Sequence, residues 1–247
     1  MDYELRIMFF FVSLQRFIDM SNNYFTFKRF TVRQERCAMK VGTDGCLLGA
    51  WARGGRRVLD VGTGTGVVAL MMAQRFPDAT VIALDIDADA VSQARQNVAD
   101  SPFHAQITIH EADFLTFYDA EPYEAIVSNP PFFVQSLPSP DEQRTLARHT
   151  TSLTYETLMK QSFRLLADNG ELSIIIPSDC RSRMEEAAAF AGFQLSRVCA
   201  VKTTPAKLPR RFLLAFRKHL VTPPDQSELV IGSSQFIQLL QDYYIKF

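Results

Sequence analysis

The chain has 247 residues, 47% of them apolar, and a formal net charge of −1. That length and apolar share suit one large α/β domain with a substantial core, and no run approaches the roughly 20 apolar residues of a membrane span. Cys37, Cys46, Cys180 and Cys199 are scattered, without CxxC spacing or clustered histidines, which argues against a disulfide framework or a zinc site and for a reducing cytoplasm.

Residues 1–19, MDYELRIMFFFVSLQRFID, hold a short apolar stretch with acids before it and no small-residue cleavage site after it. They are expected to be an upstream extension, with Met20 as the start. Residues 20–55 form a basic segment and a loop-helix. Lys28, Arg29, Arg33, Arg36 and Lys40 face Glu35 alone. A second basic stretch carries Arg197, Lys202, Lys207, Arg210, Arg211, Arg217 and Lys218 with no acid. Two basic segments around an acidic middle point to a polyanionic partner met at one face. Between them, MKVGTDGCLLGAW (39–51) predicts a loop entering a short helix capped by Thr43 or Asp44.

From residue 56 to about 220, strand and helix signals alternate. RRVLDV is a short buried strand and VVALMMAQRF an apolar helix stopped by Pro77. ATVIALD is a second strand, followed by a helix opened by Asp87 or Asp89. AQITIHEAD and YEAIVS are the third and fourth strands. SLTYETLMKQSFRLLADNG reads as an amphipathic helix with Gly170 as its left-handed cap. ELSIIIP is the fifth strand, and SDCRSRMEEAAAFAG a helix ending at Gly192. FQLSRVCAVK and RRFLLAFRK, joined through TTPAKLP, read as antiparallel neighbours. The expected fold is therefore α/β: a doubly wound, mostly parallel seven-stranded sheet with one antiparallel edge strand. The tail, residues 221–247, adds a short helix at SSQFIQLLQDYY.

The first strand runs into Asp60, Gly62, Gly64 and Gly66. Alternate glycines allow a sharp turn and close approach to a ligand. The third glycine comes one residue early for a dinucleotide fingerprint, and the Asp60 carboxylate would repel a pyrophosphate. It suits a ligand with a cationic amine and no phosphate, as in S-adenosylmethionine. Asp85 ends the second strand, placed to accept from ribose hydroxyls. Asp113 and Phe114 follow the third strand, placed for the adenine amino group and ring. Thr43 lies in the loop expected to close over the cofactor's amino-acid end.

Asn129-Pro130-Pro131-Phe132-Phe133 follows the fourth strand, which lies next to the first in this topology. The Asn129 side-chain carbonyl and the Pro130 main-chain carbonyl can each accept one hydrogen of a planar exocyclic amine, turning its lone pair toward a methyl donor. Proline fixes the carbonyl directions before substrate arrives, and Phe132 or Phe133 can stack on a flat ring. Asn129 thus serves both the cofactor and the amine.

These residues resemble the class I adenosylmethionine-dependent methyltransferases with an (N/D)PP(Y/F/W) motif. More narrowly, FTFKRFTVRQERCAMKVGTDGCLLGAW, VLDVGTGTGVVALMMAQR, SNPPFF and ARHTTSLTYETLMKQSFRLLADNGELSIIIP resemble the bacterial tRNA (adenine-N6)-methyltransferase family. The resemblance covers Tyr24 to about Lys218. It implies a Rossmann-like fold, S-adenosylmethionine as cofactor, and methylation of the adenosine 3′ of the anticodon in a valine tRNA. It assigns the cofactor to the Gly62–Gly66 turn, Asp85 and Asp113, and the target amine to Asn129, Pro130, Pro131 and Phe132. The expected partner is the tRNA anticodon stem-loop, met by a cytoplasmic monomer that needs neither metal nor membrane. Phe133, Lys28, Arg29, Arg148, Lys202, Lys207, Arg210 and Arg211 are the candidate RNA contacts. Two other substrates stay open: a protein glutamine amide and the N2 amine of a ribosomal RNA guanine.

Overall fold

A computed structural model describes residues 23–37, 39–130 and 153–246. The expected extension at 1–19 lies outside them, as do Pro131, Phe132, Phe133 and Arg148. Ten strands and six α-helices are described. In chain order they are β1 (Tyr24–Thr26), β2 (Thr31–Arg33), α1 (Thr43–Trp51), β3 (Arg57–Val61), α2 (Val67–Arg75), β4 (Thr80–Asp85), α3 (Ala88–Ala99), β5 (Ile107–Glu111) and β6 (Tyr123–Ser128). Then come α4 (Tyr155–Leu165), β7 (Leu166–Pro177), α5 (Arg181–Phe190), β8 (Gln194–Lys202), β9 (Arg211–Arg217), β10 (Asp225–Val230) and α6 (Ser234–Leu240).

The main sheet runs β10-β8-β9-β7-β6-β3-β4-β5, and β1 and β2 form a separate hairpin. Every neighbour pair in the main sheet is parallel except the two made by β9. Val58, Asp60, Ala125 and Val127 point to the face covered by α1, α2, α3 and α6, whereas Leu59, Val61, Ile126 and Ile174 point to α4 and α5. Both faces are buried, so these strands read as continuous apolar runs rather than alternating ones. Each Val, Leu or Ile among them removed from water contributes about 1.5–3 kcal/mol, an upper figure against a compact unfolded chain.

Three expectations change. The main sheet has eight strands, and the antiparallel strand β9 lies inside it, between β7 and β8. The additional strand, β10, pairs in parallel with β8 and forms that edge. Its sequence, DQSELV, is too polar to announce a strand, because an edge strand with most side chains in water has no apolar pattern to show. Gly170 is not a left-handed cap. The α4 helix ends at Leu165, Leu166 is already extended and pairs with Tyr123, and Gly170 falls within β7. Neither Thr43 nor Asp44 caps α1: Gly42 occupies the N-cap without a side-chain bond, and Asp44 sits in the first turn. Asp87 does cap α3, accepting from the amides of Asp89 and Ala90.

Candidate active site

The parallel strands β3, β4, β5, β6 and β7 all end at one edge of the sheet, and there the chain places the glycine turn, Asp85, Asp113 and Asn129. Gly62, Gly64 and Gly66 have φ of 72°, 54° and 83°, the left-handed region that only glycine enters without strain. A Cβ built on Gly62 or Gly64 meets nothing within 4 Å, so the space above the turn is open to a ligand. At Gly66 it would stand 3.4 Å from the Ala94 side chain, so that glycine serves the contact between the turn and α3.

Two carboxylates hold the turn. Asp60 is buried, and its Oδ2 accepts from the Thr63 hydroxyl at 2.6 Å and the Ala69 amide at 3.2 Å. Burial, with Asp85 adding to it, pushes its pKa up to about 7, while those two hydrogen bonds pull the other way. Asp85 accepts from the amide of Gly64 at 2.8 Å through one oxygen and from that of Asp87 at 3.0 Å through the other. The amides of Gly62 and Thr63 both donate to the carbonyl of Leu84, fixing the turn to the end of β4.

A third support was not legible in the sequence. Asn97, fully buried in α3, accepts from the amide of Arg33 and donates to the carbonyls of Arg33 and Thr65, each at 2.8 Å. The amide of Arg36 donates to Gln93 one turn earlier. The segment after β2 therefore climbs α3 toward the glycine turn. It places the buried Cys37 close to Asp85, Asp87 and Asp89, whose charges join burial in raising that thiol to about 11. A buried asparagine and glutamine four apart in an otherwise amphipathic helix were the available signal, since uncompensated amides are costly there. Ile86 was missed too: it is 49% exposed directly after Asp85 and offers an apolar face at the same edge.

Asp113 is half-buried, with Oδ1 accepting from the Leu115 amide at 2.9 Å. The ring of Phe114 packs in the core beside α4, and its carbonyl accepts from Gln161. Thr43 is half-buried at the start of α1.

Asn129 leaves β6 beside β3, where Val61 pairs with Ser128 and the Ser128 hydroxyl donates to the carbonyl of Val61 at 2.9 Å. Its Oδ1 is buried and has no hydrogen-bond partner among the described residues. Pro130 is buried next to it. A buried amide oxygen favours a hydrogen-bond donor by about 1–3 kcal/mol, so this atom is suited to accept one from a ligand.

The candidate RNA contacts separate into two kinds. Lys202 pairs with Glu228 at 2.7 Å and Arg211 with Asp44 at 2.7 Å. Lys28 donates to the carbonyl of Gln241, and Arg29 lies 5.0 Å over the Phe103 ring. Lys207 and Arg210 are exposed, with no ion pair among the described residues. No described helix is long and apolar enough to cross a membrane.

Comparison with known proteins shows the family and the fold. The family model described as the methyltransferase small domain matches residues 45–196. A tRNA1(Val) (adenine(37)-N6)-methyltransferase of Bacteroides thetaiotaomicron is 45% identical over 92% of this chain and 99% of its own length. The enzyme of that name from Phocaeicola vulgatus is 46% identical over 92% and 99%. Among solved structures, a predicted O-methyltransferase from Agrobacterium tumefaciens superposes with a TM-score of 0.61 at 19% identity, covering 81% of this chain and 94% of that one, and so shares the fold. An open glycine turn flanked by Asp85 and by the buried Asn129 Oδ1 suits a bound S-adenosylmethionine, and the chain belongs to the tRNA1(Val) (adenine(37)-N6)-methyltransferase family of S-adenosylmethionine-dependent enzymes.

Proposed function

We propose that this protein methylates the exocyclic N6 amine of an adenine in tRNA, the adenine at position 37 beside the anticodon of a valine tRNA. The observation that carries the reading is the buried Oδ1 of Asn129, without a partner among the described residues, at the end of β6 beside the glycine turn after β3. The names of the relatives supply the nucleic acid and the position.

When bound, S-adenosylmethionine supplies an electrophilic methyl group on a cationic sulfur. Gly62 and Gly64 leave room for it. Asp85 would take its ribose, Asp113 its adenine and the Asp60–Thr43 side its amino-acid end, with Ile86 flanking the ring; the Phe114 ring is taken up by the core beside α4. Asn129 accepts one amine hydrogen through Oδ1, and the main-chain carbonyl of Pro130 accepts the other. As the new nitrogen–carbon bond forms, the sulfur–methyl bond would break to leave a neutral thioether, the amine becomes cationic, and both hydrogen bonds to it strengthen. The proton then leaves to water. Positioning is therefore most of what the side chains contribute. Phe132 or Phe133 is the candidate to stack on the base, and Pro131 completes the motif; all three lie outside the described residues.

Of the candidate cations Lys28, Arg29, Arg148, Lys202, Lys207, Arg210 and Arg211, Lys207 and Arg210 are foremost for tRNA phosphates because they have no ion pair among the described residues, whereas Lys202 and Arg211 already face carboxylates. All of these groups come from one chain, so the reading requires a single copy acting where tRNA is found, in the cytoplasm.

The test is methyl transfer from labelled S-adenosylmethionine into total tRNA from a strain lacking this protein, followed by nucleoside analysis. N6-methyladenosine in one valine isoacceptor is expected. Label in protein alone would replace the reading with glutamine methylation, and label in ribosomal RNA guanine would replace it with N2 chemistry.

A further inference from the structure

The loop joining β8 to β9 carries the sequence Thr203-Thr204-Pro205-Ala206-Lys207-Leu208-Pro209-Arg210. It is closed by main-chain bonds, from the Lys207 amide to the Thr204 carbonyl and from the Arg210 amide to the Val201 carbonyl. Two prolines fix φ on either side of Lys207-Leu208. Leu208 is 85% exposed. A rigid loop thus holds one leucine out in water, between two cations with no described ion pair.

The register places this loop relative to the site. Ser128 pairs with Ile174, and Pro177, three residues further along β7, pairs with Arg211. Strands about 4.8 Å apart with a rise of about 3.3 Å per residue set the base of the loop about 10 Å to the side of the end of β6 and about 10 Å beyond it. An RNA whose target base enters at Asn129 meets this loop within a few nucleotides.

We infer that the 203–210 loop is an RNA-reading element in which Lys207 and Arg210 hold phosphates on either side while Leu208 wedges against the base stack next to the target adenosine. The inference rests on the tRNA reading above. An apolar side chain flanked by cations is the device by which proteins unstack a nucleic acid step while holding its backbone, and a flat base must leave its stack to reach Asn129. Charge selects the partner: the stretch from Arg197 to Lys218 contains no acid, which favours RNA over a protein surface.

The test uses the full chain, S-adenosylmethionine and valine tRNA carrying 2-aminopurine beside the target adenosine. Leu208→Ser is expected to lower the single-turnover methylation rate about tenfold or more and to abolish the rise in 2-aminopurine fluorescence. Its melting temperature, cofactor affinity and salt dependence of tRNA binding should match wild type. Leu208→Ile should restore both rate and fluorescence. Lys207→Ala with Arg210→Ala is expected to weaken tRNA binding and to reduce the slope of log affinity against log salt by about 2. A Leu208→Ser enzyme with wild-type rate and fluorescence overturns the wedge while leaving the tRNA reading intact. A wild-type enzyme that neither binds nor methylates the tRNA overturns both.

Discussion

The Arg211 guanidinium donates to the Asp44 carboxylate at 2.7 Å, tying the first residue of β9 to the first turn of α1, 167 residues earlier in the chain. Arg211 also donates to the carbonyl of Arg210. One ion pair thereby anchors the base of the 203–210 loop to the helix that follows the 34–42 segment.

A half-exposed pair of this kind stabilises by about 0.5–1 kcal/mol. Arg211→Gln should therefore lower the melting temperature by only about 1–4 °C and leave the salt slope of tRNA binding unchanged, because this charge already has its anion. Arg210→Glu should do the reverse, leaving the melting temperature alone and flattening the salt slope. Binding isotherms from 50 to 300 mM salt separate the two, and a flattened slope for Arg211→Gln would place that residue on phosphate.

Asn129→Ala is expected to lower the methyl-transfer rate by at least about 10³-fold, since the amine loses one of two fixed acceptors at the step where charge develops. Removing an acceptor that has no partner among the described residues should not destabilise the ligand-free fold. Calorimetric cofactor affinity should stay within about threefold of wild type. If transfer and cofactor affinity fall together, Asn129 also holds the cofactor when the melting temperature is unchanged and is structural when it drops.

The pKa of Asp60 in the folded, ligand-free protein, about 7, lies above its ordinary 3.8. The folded state keeps a proton there that the unfolded chain has already lost. Stability should therefore fall as pH rises through that window, by at most about 1.4 kcal/mol per pH unit from this group, and level off above about pH 7. Asp60→Asn, which mimics the protonated carboxyl, should flatten the profile. Melting temperatures of both proteins from pH 4.5 to 8 decide it; parallel curves would show that Asp60 is ionised throughout.

Gly64→Ala and Gly66→Ala each force a side chain into a left-handed conformation, at about 1–2 kcal/mol. They should cost similar thermal stability and differ in function. At Gly66 the methyl presses on Ala94 of α3, whereas at Gly64 it enters the open space above the turn. Gly64→Ala should lose at least about tenfold more cofactor affinity than Gly66→Ala. Equal losses would mean that the ligand does not approach Gly64.

Five apolar runs separated by helix caps were enough to read the parallel core, and Asp87 and Gly192 were legible as helix punctuation because their local geometry needs no distant partner. The strand-end residues were legible too, since chain order alone brings Asp60, Asp85 and Asn129 to one edge of a doubly wound sheet. What was not legible depended on contacts remote in sequence. β10 is a strand only because β8 offers an unpaired edge. Helix α4 stops at Leu165, before Gly170, because Leu166 pairs with Tyr123. Asn97 reaches Thr65 and Arg33 only after α3 docks against them. Charge followed the same rule. Composition announced two basic segments, but the tertiary structure gave Glu228 to Lys202 and Asp44 to Arg211 and left Lys207 and Arg210 facing solvent. Sequence determined which residues stand at the strand ends, because backbone periodicity is local. Only the folded chain decided which charges are neutralised and which remain for RNA, because an ion pair forms between side chains that topology, not chain order, makes neighbours.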